Sequence, residues 1–168
     1  MTIREATSAD VPAILQLVRD LATYEKEPDA VRATEAHFEA ALFPESGTPT
    51  TFAHVAEVDG RVVGMAVWYL TFSTWTGVNG IWLEDLFVEP EQRGAGLGRE
   101  LLATLARTCV DRGYQRLEWW VLDWNEPSIG FYESLDARAQ DEWTVFRMDG
   151  PALESLGAAP GSGTHRSA

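Results

Sequence analysis

The seven residues Arg93-Gly94-Ala95-Gly96-Leu97-Gly98-Arg99 join an apolar strand pattern at residues 80–88 to a helical pattern that begins near Gly98, and no other stretch restricts the fold so closely. Strand, glycine-rich turn and helix in succession build an anion cradle. Glycine accepts positive φ and lets the backbone come close to a ligand. The N–H groups of a first helical turn, which have no intrahelical acceptor, point at that ligand along the positive end of the helix dipole. The guest expected there is a phosphate or pyrophosphate.

Spacing narrows the kind of cradle. An NTPase phosphate loop needs Gly-x-x-x-x-Gly-Lys followed by Ser or Thr. Here Arg99 and Glu100 follow Gly98, so the lysine and the metal-binding hydroxyl are both missing. A dinucleotide frame begun at Gly94 needs glycine where Arg99 stands, and Pro90 separates the loop from its strand. The frame that fits is Arg-x-x-Gly-x-Gly, filled by Arg93, Gly96 and Gly98, the alternative being a helix start with glycines for tight packing.

Size and charge set the class. A chain of 168 residues, 45% apolar, suits one domain with one core, expected over residues 1–156. A Gly/Ser/Pro-rich tail at 157–168 has too few apolar residues to order itself. The one cysteine, Cys109, sits among Leu101, Leu102, Leu105 and Ala106, which excludes a disulfide framework and makes the thiol core filler. A reduced, cytoplasmic setting is expected. No apolar run approaches the roughly 18 residues of a membrane span, and Met1-Thr2-Ile3-Arg4-Glu5 lacks the basic-then-apolar order of a signal peptide. The net charge of -13 opposes nucleic acid and anionic membranes as partners and favours a cationic substrate. Because that field also repels a polyphosphate, the loop amides, Arg93 and Arg99 must hold the phosphates locally.

The order of elements reads β-α-α-β-β-β-α-β-α-β. A short strand at 2–6 precedes an amphipathic helix carrying Val11, Ile14, Leu15, Val18, Leu21 and Ala22, with Thr7, Ser8 and Asp10 as cap candidates. A weaker helix starts near Thr34. Strands at 52–58 and 61–70 flank Asp59-Gly60, a dipeptide suited to a type I′ hairpin. Residues 72–79 read as a loop before the strand at 80–88. The helix from about Gly98 to Arg112 leads to a strand at 115–122, a short helix entered at Pro127 and a last strand at 143–148. This is an α/β (α+β) mixed sheet, mostly antiparallel, with helices on both faces.

Two constellations could carry chemistry. Glu84-Asp85 interrupts the apolar strand, and because neighbouring strand residues point to opposite faces, the two carboxylates are expected to play different roles. They are either salt-bridged core acids or functional groups facing a cleft. In Asn125-Glu126-Pro127-Ser128-Ile129-Gly130-Phe131-Tyr132, Ser128 and Tyr132 stand four apart on one helix and share a face. A phenol of pKa about 10 can protonate a departing thiolate, or Tyr132 can be an amphipathic residue at the core edge.

Leu83-Glu84-Asp85-Leu86-Phe87-Val88, Arg93 to Gly98, Trp124-Asn125-Glu126-Pro127-Ser128 through Phe131-Tyr132, and Leu21-Ala22-Thr23-Tyr24-Glu25-Lys26 resemble, in this order and spacing, the diamine branch of the GNAT N-acetyltransferases. That branch holds the spermidine/spermine and the thialysine N-ε-acetyltransferases, and the likeness runs from Ile3 to about Asp149. It implies the GNAT (acyl-CoA N-acyltransferase) fold, acetyl-CoA as co-substrate, no metal and a homodimer. It further implies that Leu86, Phe87 and Val88 offer backbone groups to the acetyl and pantetheine portion, and that Gly94, Ala95, Gly96, Leu97, Gly98 and Arg99 cradle the pyrophosphate with Arg93. Asn125 and Ser128 contact the pantetheine arm, and Tyr132 sits beside the sulfur as acid. Glu84 acts as a base through water. Tyr24, Glu25, Glu84 and Asp85 surround the amine, with Trp75 and Trp143 as aromatic walls.

Departures from the branch narrow the substrate. Ser73-Thr74-Trp75 stands where polyamine enzymes show Asp-Pro before the tryptophan, and with Val121-Leu122-Asp123-Trp124-Asn125 it resembles the thialysine type. Asp136 replaces an expected glycine, and the segment from Tyr132 to Trp143 is shorter. The expected reaction is direct attack by a primary amine of a small amine or lysine-like amino acid, with no covalent enzyme intermediate, since Cys109 lies on an apolar stripe. A polyamine acetyltransferase, a protein lysine or N-terminal acetyltransferase, and a non-catalytic acyl-CoA sensor are the alternatives.

Overall fold

The computed structural model describes residues 1–158. These residues divide into two compact units, Met1–Trp120 and a second that begins at Val121. The first contains β1 (Thr2–Glu5), α1 (Val11–Tyr24), α2 (Glu35–Leu42), β2 (Phe52–Val58), β3 (Arg61–Ser73), β4 (Val78–Val88), α3 (Leu97–Arg112) and β5 (Leu117–Glu118). The second contains α4 (Glu126–Glu133) and α5 (Gly150–Ala158).

Among the described residues the strands form one five-stranded sheet in the order β1-β2-β3-β4-β5. The first four are antiparallel, and α3 is the crossover that makes β5 parallel to β4. The β2–β3 hairpin turns at Asp59 and Gly60, with φ of 51° and 79°, the paired positive values of a type I′ turn. One face of the sheet carries Val55, Met65, Val67 and Phe87 against Ile14 and Leu17 of α1 and Leu42 of α2. Helix α3 buries Leu97, Leu101, Leu105 and Cys109, a stripe at four-residue spacing. Burying each of those leucines stabilises the fold by about 1.5–3 kcal/mol.

The entry to α1 is pinned by charge. Arg4 on β1 donates to both carboxylate oxygens of Asp10, at 2.7 and 2.8 Å, and to Glu57 on β2. Asp10 also accepts from Thr7 N–H and the Thr7 hydroxyl, which closes a capping box. The hydrogen bond from Arg4 holds the Asp10 carboxyl well below the usual carboxylate range, although burial acts against it.

Three expectations need correction. The loop expected at 72–79 shrinks to residues 74–77, because β3 extends to Ser73 and β4 starts at Val78. The strand expected at 115–122 survives only as Leu117–Glu118. Residues 143–148 form no strand, and α5 follows them unforeseen. Alternation marks a segment able to pair, but a strand exists only by its ladder, and β5 leaves the sheet a very short edge. Of the expected tail, Gly157 and Ala158 belong to α5, and the remainder lies outside the described residues.

Candidate active site

A β-bulge in β4 organises the acids. Val67 pairs with Asp85 but Trp68 pairs with Leu83, so Glu84 is an extra residue opposite the Val67–Trp68 step. Directly paired residues share a face, and Val67 and Trp68 face opposite ways. Asp85 therefore lies on the Val67 face, toward α1, and Glu84, alternating with Leu83, joins it there. The expectation that the two carboxylates point to opposite faces is overturned, since one extra residue breaks the period of two.

Electrostatics agree with that geometry. The Asp85 carboxyl is pushed up to about 6, first by burial and then by the charges of Glu84 and of Glu25. Glu25 is the C-cap of α1, and burial raises its carboxyl too. Three acids from two elements thus face one place, and such a site is completed by a cation. Glu84 itself is exposed and accepts from Trp82 Nε1–H at 3.1 Å.

Beyond the bulge, Leu86, Phe87 and Val88 continue the ladder with Ala66, Met65 and Gly64 of β3. The β4–β5 ladder pairs only Ile81 and Trp82. The β5-facing edge of β4 from Leu83 to Val88 thus has no strand partner among the described residues. That edge ends at the glycine loop. Gly94 and Gly96 both have φ of +84°, Gly96 is the N-cap of α3, and the space around both Cα atoms is open. Leu97 anchors the helix start in the core, while Gly98 and Arg99 fill its first turn beside the loop residue Ala95.

Arg93 turns inward. Its Nε–H donates to Val88 O at 3.1 Å, and its guanidinium lies 4.9 Å from the centroid of the Tyr24 ring and 5.6 Å from that of Phe87. An open cavity of about 480 Å³ borders this stack, lined by Tyr24, Phe87, Asp20 and Glu89 among others. Expected site residues Tyr24, Phe87 and Arg93 are thus brought together, and so are Glu25, Glu84 and Asp85.

The second unit holds the remaining expected residues. Asn125 is buried and caps α4, its side chain accepting from Ser128 N–H at 3.4 Å. Ser128 and Tyr132 share a face of α4, and the Tyr132 ring lies 5.3 Å from that of Phe131. Asp136, with φ of 62°, adopts the left-handed conformation that favours glycine. Trp143 is 72% exposed, as is Trp75, at 90%, in the β3–β4 turn of the first unit.

Sequence reading missed the aromatic cluster whose Trp82 contacts Glu84. Trp82 on β4 lies 6.4 Å from Tyr69 on β3 and 5.0 Å, edge-on, from Trp120. Their signal was period-two spacing, Trp82 two residues before Glu84, although the face it shares with Asp85 depends on the bulge. Cys109 is buried, and burial pushes its thiol up, which makes it a poor nucleophile.

Comparison with known proteins gives one consistent result. The model of the acetyltransferase (GNAT) family matches residues 12–137. Thialysine N-epsilon-acetyltransferase of Bos taurus is 39% identical over 92% of this chain and 95% of its own length. Spermidine/spermine N(1)-acetyltransferase-like protein 1 of Homo sapiens is 32% identical over 88% of this chain but only 22% of its own. Among solved structures, an integron cassette protein from the mobile metagenome of V. cholerae superposes with a TM-score of 0.78 at 24% identity, covering 94% of this chain and 98% of its own, a likeness of fold.

Proposed function

The chain belongs to the acetyltransferase (GNAT) family and is an N-acetyltransferase, and from that premise we propose that it moves an acetyl group from acetyl-CoA to the primary amine of a small, lysine-like acceptor of the thialysine type. The observation that carries this reading is the bulge at Glu84, which turns Glu84 and Asp85 to one face beside Glu25. A clamp of carboxylates suits an alkylammonium.

The cradle fits a CoA pyrophosphate. Open space and positive φ at Gly94 and Gly96 leave room for phosphate oxygens at the N-terminus of α3, and Arg99 adds charge. Bound acetyl-CoA supplies an acyl thioester. The unpartnered edge of β4 supplies backbone groups for its acetyl and pantetheine portion: because Glu89 N–H donates to Val63 O, alternation turns Phe87 N–H toward β3 and leaves Leu86 N–H on the free edge to donate to the carbonyl oxygen as charge develops there. Asn125 and Ser128 are assigned to the pantetheine arm.

An alkylammonium with pKa about 10.4 is not a nucleophile. Glu84 takes its proton through water, helped by desolvation in the clamp, while Asp85 and Glu25 hold the charge before transfer. The amine nitrogen then bonds to the acetyl carbon as the carbon–sulfur bond breaks, the Tyr132 hydroxyl gives the thiolate its proton, and the second proton of the nitrogen leaves to solvent, from which Tyr132 is reprotonated. Buried Cys109 makes an acyl-enzyme route unattractive. Thiol release on mixing the protein with acetyl-CoA and thialysine, lysine, short diamines or lysine peptides tests the proposal. Turnover is expected with free amines; turnover confined to peptides would assign a protein-modifying enzyme instead.

A further inference from the structure

The indole N–H of Trp82 donates to Glu84 Oε2 at 3.1 Å across two residues of one strand face. Only a side chain with a donor at that reach can do this, and phenylalanine could not. The indole is itself clasped. Tyr69 tilts against it from β3 at 6.4 Å, and Trp120 meets it edge-on at 5.0 Å. Such ring pairs contribute stabilisation beyond their buried area and fix ring orientation. Tyr69 and Trp120 nevertheless remain 36% and 59% exposed, so the cluster presents aromatic surface beside the acid.

We propose that Trp82 is a positioning residue that holds the Glu84 carboxylate aimed, and that the Tyr69–Trp82–Trp120 cluster is an aromatic wall beside the acceptor ammonium. This rests on the acetyltransfer reading above. Glu84 is the extra residue of a bulge and has no residue directly opposite it on β3, and its exposure leaves its rotamer free unless something holds it. The indole N–H is that hold. The groups acting around Glu84 are Asp85 on the same strand, Glu25 at the end of α1 and the Tyr69 phenol on β3, whose titration is raised first by burial and then by the charge of Glu84. Against these acidic neighbours, the Trp82 N–H is a favourable polar contact to Glu84. An alkylammonium at Glu84 then meets ring faces that attract cations.

Trp82→Phe keeps a ring for Tyr69 and Trp120 to pack on but deletes the donor. In the resting protein, the Trp82 indole Nε1–H resonance, assigned by its loss in Trp82→Phe, is expected to move in Glu84→Gln, because that variant replaces its acceptor. In Trp82→Phe, kcat for the amine should fall about tenfold with little change in amine KM or acetyl-CoA affinity. Trp120→Ala, at an exposed position, should instead raise the amine KM several-fold with kcat little changed. An indole resonance unmoved in Glu84→Gln, with loss of thermal stability but native kcat in Trp82→Phe, would overturn the proposal and leave Trp82 a packing residue. If the native protein turned over no amine, the acetyltransfer reading would fail, yet the indole resonance would still decide whether Trp82 holds Glu84.

Discussion

Arg93 lies over the ring of Tyr24, 4.9 Å from its centroid, and this contact ties the glycine loop to the end of α1. The same side chain donates Nε–H to Val88 O, so one residue couples loop, strand and helix. Arg93→Lys keeps the charge but loses the planar fork and the Nε–H. It is expected to weaken CoA binding about as much as Arg93→Ala does, several-fold by calorimetry. Full affinity in Arg93→Lys would show that charge alone matters.

Gly96→Asp tests the cradle. Aspartate tolerates a φ of +84° at a cost of about 1 kcal/mol, and nothing crowds its Cβ, so the fold should survive. A negative charge at the N-cap of α3 should compete with the pyrophosphate and abolish detectable CoA binding. A folded variant with native affinity would place the cofactor elsewhere.

Asp85→Asn trades function for stability. The carboxyl titrates at about 6 in the fold, above its unfolded value of about 3.9, so the protonated form is the one that folding favours. That contribution is complete below pH about 4 and is lost as pH rises through 6. The asparagine variant should gain about 2 kcal/mol over the native chain at pH 8, with the gain fading toward pH 4, while kcat/KM for the amine falls. Urea denaturation at the two pH values checks it; an equal difference at both would mean Asp85 does not titrate near 6.

Tyr132→Phe deletes one hydroxyl. With that hydroxyl as the acid that protonates the thiolate, kcat should fall by about 10²-fold at unchanged acetyl-CoA affinity. Near-native kcat in stopped-flow thiol assays would hand the role to solvent or another group.

Much of this architecture is legible locally. Gly94 and Gly96 announce the turn because only a residue free of Cβ sits there without strain, and Asp59-Gly60 announces its hairpin because Asp tolerates and Gly favours the positive φ of a type I′ turn. Glu84 and Asp85 are visible as acids in an apolar run, but their common face is not, because the bulge is a property of the register between β3 and β4. Trp82 was hidden behind the same register. The alternation at 143–148 misled for the opposite reason, since it reports a capacity to pair and not the presence of a partner.

The central claim is that the acid clamp serves one ammonium of a short acceptor, and relative kcat/KM for thialysine and spermine tests it most directly. Ser73 closes the β3–β4 turn, its hydroxyl accepting from Thr76 N–H at 3.3 Å, and offers no carboxylate to a second ammonium. A missing charge-assisted hydrogen bond, about 1.5–3 kcal/mol, predicts that thialysine exceeds spermine by about tenfold or more, with Ser73→Asp recovering part of the difference. A native preference for spermine would contradict the account and show that Glu25, Glu84 and Asp85 suffice for a polycation.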